Sequence, residues 1–421
     1  MQSSIKLRLT VMNFLQFAVW GAYLTSMGRY LGTAGFGSEI GNFYAMQGLV
    51  SLFMPALMGI VADRWIPAQR LLGGCHMLAG MLMLGVFLYT QTDAPSYPSL
   101  FALYSLSVAF YMPTLALSNS VAYTSLDQAG LDLVKSFPPI RVFGTVGFIC
   151  TMIAVSLLGL EATSGQFAVS AIISLVLAVY AQTLPNCPTA PKGQSKSLVE
   201  ALGLRAFVLF KQRKMALFFI FSMLLGVSLQ ITNGFANPFI STFGEIPAYA
   251  DTFGVKYANI LISLSQLSET LCILLIPFAL RRFGIRRVML IAMVAWVLRF
   301  ALLGLGNPGS GVWLFLLSMI VYGVAFDFFN VSGSLFVDKE TDPSIRSSAQ
   351  GLFMIMTNGI GATLGSLGAQ AVINRFVYSQ SEATAILSGW TTSWYVFAAY
   401  AAVVAVLFAL LFRYNTVTEA K

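Results

Sequence analysis

Apolar residues in this chain come in runs of about 20, the length of helix needed to cross about 30 Å of hydrocarbon. The limits fall near 9–32, 40–62, 71–92, 98–122, 139–160, 165–184, 214–243, 256–279, 288–305, 311–336, 346–374 and 391–413. Inside lipid every backbone N–H and C=O must be satisfied within the segment, so such runs predict helices. The pattern therefore predicts an all-α membrane protein of twelve transmembrane helices. The longest polar stretch runs from Pro185 to about Lys214 and divides the runs six and six. The expected organisation is a half at 1–184, a linker at 185–213 and a second half at 214–421. In the linker, Ser197 and Glu200 form a capping box ahead of Leu198, Leu202, Phe207 and Phe210, a pattern for a short helix on the membrane surface.

Composition agrees with the runs. Of 421 residues, 57% are hydrophobic and 10% charged, against about 25% charged in a soluble domain. A mean hydropathy of +0.78 spread along the whole length excludes a soluble enzyme and equally a soluble domain on one anchor. The net charge of +8 is explained by topology rather than by nucleic acid, because cytoplasmic loops of membrane proteins collect Lys and Arg. With both termini placed in the cytoplasm, 19 basic residues fall inside and only Arg29, Lys256 and Arg375 outside. Arg141 and Arg299 remain within runs. The first run is long enough to span and no small-residue cleavage signal follows it, so it is expected to stay as the first helix. Cys75, Cys150, Cys187 and Cys272 are too scattered for a metal site or a disulfide frame.

Two short patterns bear on conformational change. After the second run comes Gly59-Ile60-Val61-Ala62-Asp63-Arg64, with Arg70 beyond; the corresponding loop of the second half holds Arg281, Arg282, Gly284, Arg286 and Arg287 but no Asp. This resembles the cytoplasmic loop motif of the major facilitator superfamily. Gly59 would let helices approach closely, and Asp63 with Arg64 would hold one of two conformations closed as a gating loop. Gly144 and Gly147 in the fifth run, and Gly361, Gly365 and Gly368 in the eleventh, read as close-packing surfaces.

Ionisable groups deep in a span are expensive unless they face a cavity or a partner. Glu269, about 14 residues into the eighth run, and Asp327, about 17 into the tenth, lie roughly 20 and 25 Å below the outer face at the rise of a helix. Arg141 approaches the same depth from the cytoplasmic end. Each has companions at helical spacing: Gln266 with Glu269; Gln230, Asn233 and Asn237; Tyr322, Phe326 and Asn330 beside Asp327; Arg141, Thr145 and Phe148; and Asn13, Gln16, Trp20 and Tyr23. Amides, carboxylates, a guanidinium and aromatic rings on inward faces suit a flat, neutral ligand with many donors and acceptors. A carboxylate taken out of water is a candidate proton carrier, though an Asp327–Arg141 ion pair that only joins helices would explain the same residues. Arg299 is expected to snorkel to the outer interface, and His76 to be a satisfied structural residue. No phosphate loop, nucleophile elbow or metal cluster is present, which points away from ATP or a bound cofactor and toward an ion gradient.

The stretches FLQFAVWGAYLT (14–25), FMPALMGIVADRW (53–65), YMPTLALSNS (111–120), FPPIRVFGTVGF (137–148), FFIFSMLLGVSLQITN (218–233), SQLSETLCILLIPF (265–278) and LSMIVYGVAFDFFNVSGSLFV (317–337) resemble the nucleoside:H+ symporter family. That resemblance covers all twelve runs. It implies the major facilitator fold of two six-helix halves, alternating access, and import of nucleosides with protons across a bacterial inner membrane, by a protein that needs no cofactor and is sufficient as a monomer. It also implies substrate contacts at Arg141, Thr145, Phe148, Gln230, Asn233, Gln266, Glu269, Tyr322, Phe326 and Asp327, with Glu269 and Asp327 coupling the proton. Preference for xanthosine, a nucleoside-sensing receptor on the same fold, and an exporter of drugs or sugars remain as alternatives.

Overall fold

The computed structural model describes residues 2–189, 204–343 and 345–414, and these are helical throughout with turns between. Nine of the described helices are long and apolar enough to cross a bilayer, and Gly165–Ala181 is a shorter apolar helix. The first run is interrupted: Gln2–Gly21 ends, Ala22–Ser26 forms turns, and Met27–Thr33 resumes. The second breaks at Leu52, just before Met54–Arg64, whose first turn holds Pro55. The eighth and ninth runs join as Ala258–Leu305, broken at Gly284, whose φ of 76° is in the left-handed region that glycine adopts without strain. The eleventh is helical from Arg346 to Phe376 with a π-helical stretch at Ile355–Gly361. Of the proposed surface helix, Ser197, Leu198, Glu200 and Leu202 lie outside the described residues, while Leu204–Lys211 is a 3-10 helix carrying the stacked rings of Phe207 and Phe210.

The chain divides into two compact units. The first holds residues 1–36 and 49–202, and the second holds 37–48 and 203–421. In the first, Gln2–Gly21 packs along Leu133–Leu157, and Ala68–Tyr89 packs against both Tyr97–Gln128 and Gly165–Ala181. Glycine permits the first of these contacts, since a Cβ at Gly147 would sit 2.1 Å from the carbonyl oxygen of Phe14. In the second, Ala258–Leu305 packs against Val312–Glu340 and Ala383–Leu411, and Arg213–Thr242 against the π-helix and Ala362–Phe376. A Cβ at Gly365 would meet the Val227 carbonyl at 2.1 Å.

Two glycines depart from the expectation: nothing lies within 4 Å of a Cβ built at Gly59 or Gly368, so neither is a packing contact. Residues 37–48, sequence neighbours of the first unit, pack in the second because Gln370 takes the Gly41 N–H and donates to the Gly37 carbonyl. In the loop at 281–287, Arg286 donates to the carbonyls of Ala409 at 2.7 Å and Phe412 at 2.6 Å. It thereby satisfies acceptors that the end of the Ala383–Leu411 helix leaves without partners.

Candidate functional site

In the first unit the expected residues fall on Leu133–Leu157, where Phe148 is buried and Arg141 and Thr145 are half-buried. The Arg141 guanidinium lies 4.0 Å over the Phe17 ring, a geometry in which the ring's π face replaces part of the water a cation loses. Gly144 makes room for it, because a Cβ there would stand 2.8 Å from Nη1 of Arg141. Phe148 meets Trp20 edge-on at 6.3 Å between centroids.

In the first-helix stripe, Gln16 has both ends of its amide bonded. Gln16 donates to Thr114 Oγ1 at 2.7 Å and pairs with Nε2 of His76 at 2.8 Å, while Nδ1 of His76 lies 3.0 Å from Ser174. Tyr111 donates to the Gln16 carbonyl. His76 is thus a satisfied core residue, as expected, and Gln16 is held by the helices around it. Asn13 is buried with its amide on the Leu9 carbonyl, and Tyr23 packs edge-on against Tyr104. Of that stripe, Trp20 adjoins a predicted site residue, Phe148.

In the second unit one helix crossing assembles most of the rest. A Cβ at Gly323 would be 2.5 Å from the Ser268 carbonyl, and Ser268 donates its hydroxyl to the Ile320 carbonyl, so Ala258–Leu305 and Val312–Glu340 touch backbone to backbone there. Glu269 and Tyr322 are the neighbours in sequence of these two contact residues. Tyr322 and Phe326 stack at 5.7 Å with planes 8° apart, a helical i, i+4 pair presenting two parallel rings.

The carboxylate of Asp327 is buried, and its Oδ2 has no hydrogen-bond partner. Gln266, also buried, leaves Oε1 unpartnered. Buried polar atoms are nearly always bonded, so two such atoms on adjoining helices mark a place for a ligand, water or proton. Gln230 accepts from Asn233 at 2.7 Å, an internal bond on Arg213–Thr242, and Asn237 of that helix donates to Asn259 at 2.9 Å. Asp63, half-buried at the end of Met54–Arg64, makes no hydrogen bond or ion pair among the described residues. The described residues contain no group of three or more His, Cys, Asp or Glu suited to a metal.

Arg299 corrects the sequence expectation. Instead of reaching the outer interface it is 2% exposed, with Nη1 donating to the Ser318 carbonyl at 2.8 Å and its Cζ 4.6 Å over the Tyr322 ring. Snorkelling needs an open path along the helix, and the packing of Val312–Glu340 closes it. Ser265 and Ser318, hydroxyls among the other polar residues of those runs, contact it or its carbonyl.

A multi-helical membrane protein with one carboxylate buried and another half-buried on two crossing helices belongs to the class of transporters rather than enzymes, and comparison with known proteins makes this specific. The family model described as nucleoside H+ symporter matches residues 3–417, and the chain belongs to that family. It is 49% identical to the xanthosine permease of Escherichia coli (strain K12), over 98% of this chain and 97% of that protein. It is 46% identical to nucleoside permease NupG of the same organism, with the same coverage. The crystal structure of the nucleoside transporter NupG superposes with a TM-score of 0.89 at 46% identity, covering 98% of this chain and 100% of that one. An auto-inhibited POT family peptide transporter, 16% identical with a TM-score of 0.68, shares the fold alone.

Proposed function

We propose that this protein is a proton-coupled permease that imports purine and pyrimidine nucleosides across a bacterial inner membrane. The observation that carries the reading is the buried Asp327 carboxylate, whose Oδ2 has no hydrogen-bond partner, on the helix that carries the stacked Tyr322 and Phe326 rings. Parallel rings take the flat base, and amides such as Gln266 bind the edges of base or sugar. Carboxylates in an apolar span are costly unless they face a partner or a ligand, which makes Asp327 and Glu269 the proposed proton carriers. The residues proposed to contact the nucleoside are Arg141, Thr145, Phe148, Gln230, Asn233, Gln266, Glu269, Tyr322, Phe326 and Asp327.

In the proposed cycle an outward-open form takes nucleoside together with a proton on Glu269 or Asp327, changes to an inward-open form and releases both. Because only the fully loaded or the empty form makes the change, the proton gradient drives accumulation. The finer architecture belongs to the same proposal: the major facilitator fold with twelve spans, both termini cytoplasmic, halves at 1–184 and 214–421 joined by the linker at 185–213, and Asp63 with Arg64 in the gating loop. No cofactor is required, and a monomer suffices.

The test is uptake of labelled uridine into proteoliposomes under an inward proton gradient. Concentration above equilibrium that collapses with the gradient is expected; uptake that only equilibrates, gradient or not, overturns symport. Competition by a panel including xanthosine, and by sugars, reads substrate range in the same assay.

A further inference from the structure

Arg299 is a buried guanidinium without a carboxylate. It forms no ion pair among the described residues, and its Nε has no hydrogen-bond partner. What holds it is the Ser318 carbonyl at 2.8 Å, the Ser265 hydroxyl at 3.4 Å and the face of Tyr322 at 4.6 Å. Ser318 returns a bond to the Arg299 carbonyl at 2.9 Å, so this charge is tied at both its head and its backbone to the helix that carries Tyr322. Helix adhesion alone does not require such a group, since an apolar side chain of equal volume packs two helices as well or better.

Its placement relative to Tyr322 is what a charge adds. Trp296 abuts the same ring edge-on at 5.9 Å, and Phe326 stacks on it at 5.7 Å. The tyrosine is thus bounded by the guanidinium, an indole edge and a phenyl plane. A cation over a ring face restrains the ring plane, because the attraction falls away as the quadrupole turns.

We propose that Arg299 is a positioning residue for the nucleoside site: it fixes the plane of Tyr322, and through the stacked pair that of Phe326, in the orientation that receives the base. This rests on the nucleoside reading above. Arg299 itself touches no substrate; it acts through Tyr322.

The experiment is a double-mutant cycle on the purified full chain, reading uridine Kd by equilibrium binding and fold by thermal melting. The variants are Arg299→Met, Tyr322→Leu and the pair. Arg299→Met is expected to weaken uridine about tenfold while melting near the parent temperature. In the Tyr322→Leu background the same change is expected to cost nothing further, because the ring it orients is gone. Parent-like affinity in Arg299→Met, or losses that multiply in the double variant, overturns the proposal while leaving nucleoside binding intact. If the parent chain itself binds no nucleoside, the underlying reading fails and this one with it. Should the Met variant not fold, Arg299→Gln enters the cycle in its place under the same rule: it removes the charge but keeps a donor for the Ser318 carbonyl.

Discussion

Gln370 offers a quantitative test of how residues 37–48 are held. Gly41 is the second residue of Ile40–Ser51, and its N–H has no acceptor inside the helix. Oε1 of Gln370 accepts it, while Nε2 donates to the Gly37 carbonyl at 3.0 Å and to Asn374 at 2.7 Å. One side chain, 5% exposed, therefore takes the N–H of Gly41 at the start of that helix and donates to the carbonyl of Gly37 in the 3-10 turn before it. In Gln370→Leu the volume is nearly kept and both bonds are lost. With about 1 kcal/mol for each bond and a further desolvation penalty for the stranded groups, local opening becomes easier by about 2–3 kcal/mol. That corresponds to about 30- to 150-fold faster amide exchange. Hydrogen exchange read by mass spectrometry on peptides spanning 37–48 is the assay, with peptides from 68–89, which Gln370 does not touch, as the control. Unchanged exchange at 37–48, or equal acceleration in both regions, would refute the argument that this one amide anchors the segment.

Other outcomes follow from single contacts. Asp327→Asn is expected to retain uridine counterflow in vesicles but lose accumulation driven by the proton gradient; accumulation at the parental level removes Asp327 as a carrier. Gly365→Ala places a methyl 2.1 Å from the Val227 carbonyl, so the helices must separate, and a loss of about 1–3 kcal/mol is expected as a lower melting temperature in detergent. Gly368→Ala, with open space around its Cβ, is the matched control and should melt as the parent does. Arg286→Ala removes the two bonds to the Ala409 and Phe412 carbonyls, with a destabilisation of about 1–3 kcal/mol expected by the same melting assay.

The helical, apolar character of the chain and the oddity of its two embedded carboxylates were legible in the amino-acid order. Glu269 and Asp327 stood out because an acid inside an apolar run has so few physical justifications. That their two helices lie against each other was not legible: it depends on Gly323 and Ser268 meeting, and glycines at Gly59 and Gly368 with the same local appearance meet nothing. Gln16 shows the opposite error. Its spacing on the first helix matched a site stripe, but Thr114 and His76, 98 and 60 residues away, had already taken its amide.

Arg299 marks the boundary between the two kinds of information. Sequence by itself determined that the chain is a stack of membrane helices, where its charges lie along them and which charges are too deep to be incidental, because the bilayer makes every unsatisfied group costly. Tertiary structure alone decided which neighbour answers each of those groups. A side chain's distance to water along its own helix follows from counting residues, whereas the direction it takes depends on the helix packed beside it. For Arg299 that helix supplied a carbonyl and a tyrosine ring, and the charge turned inward.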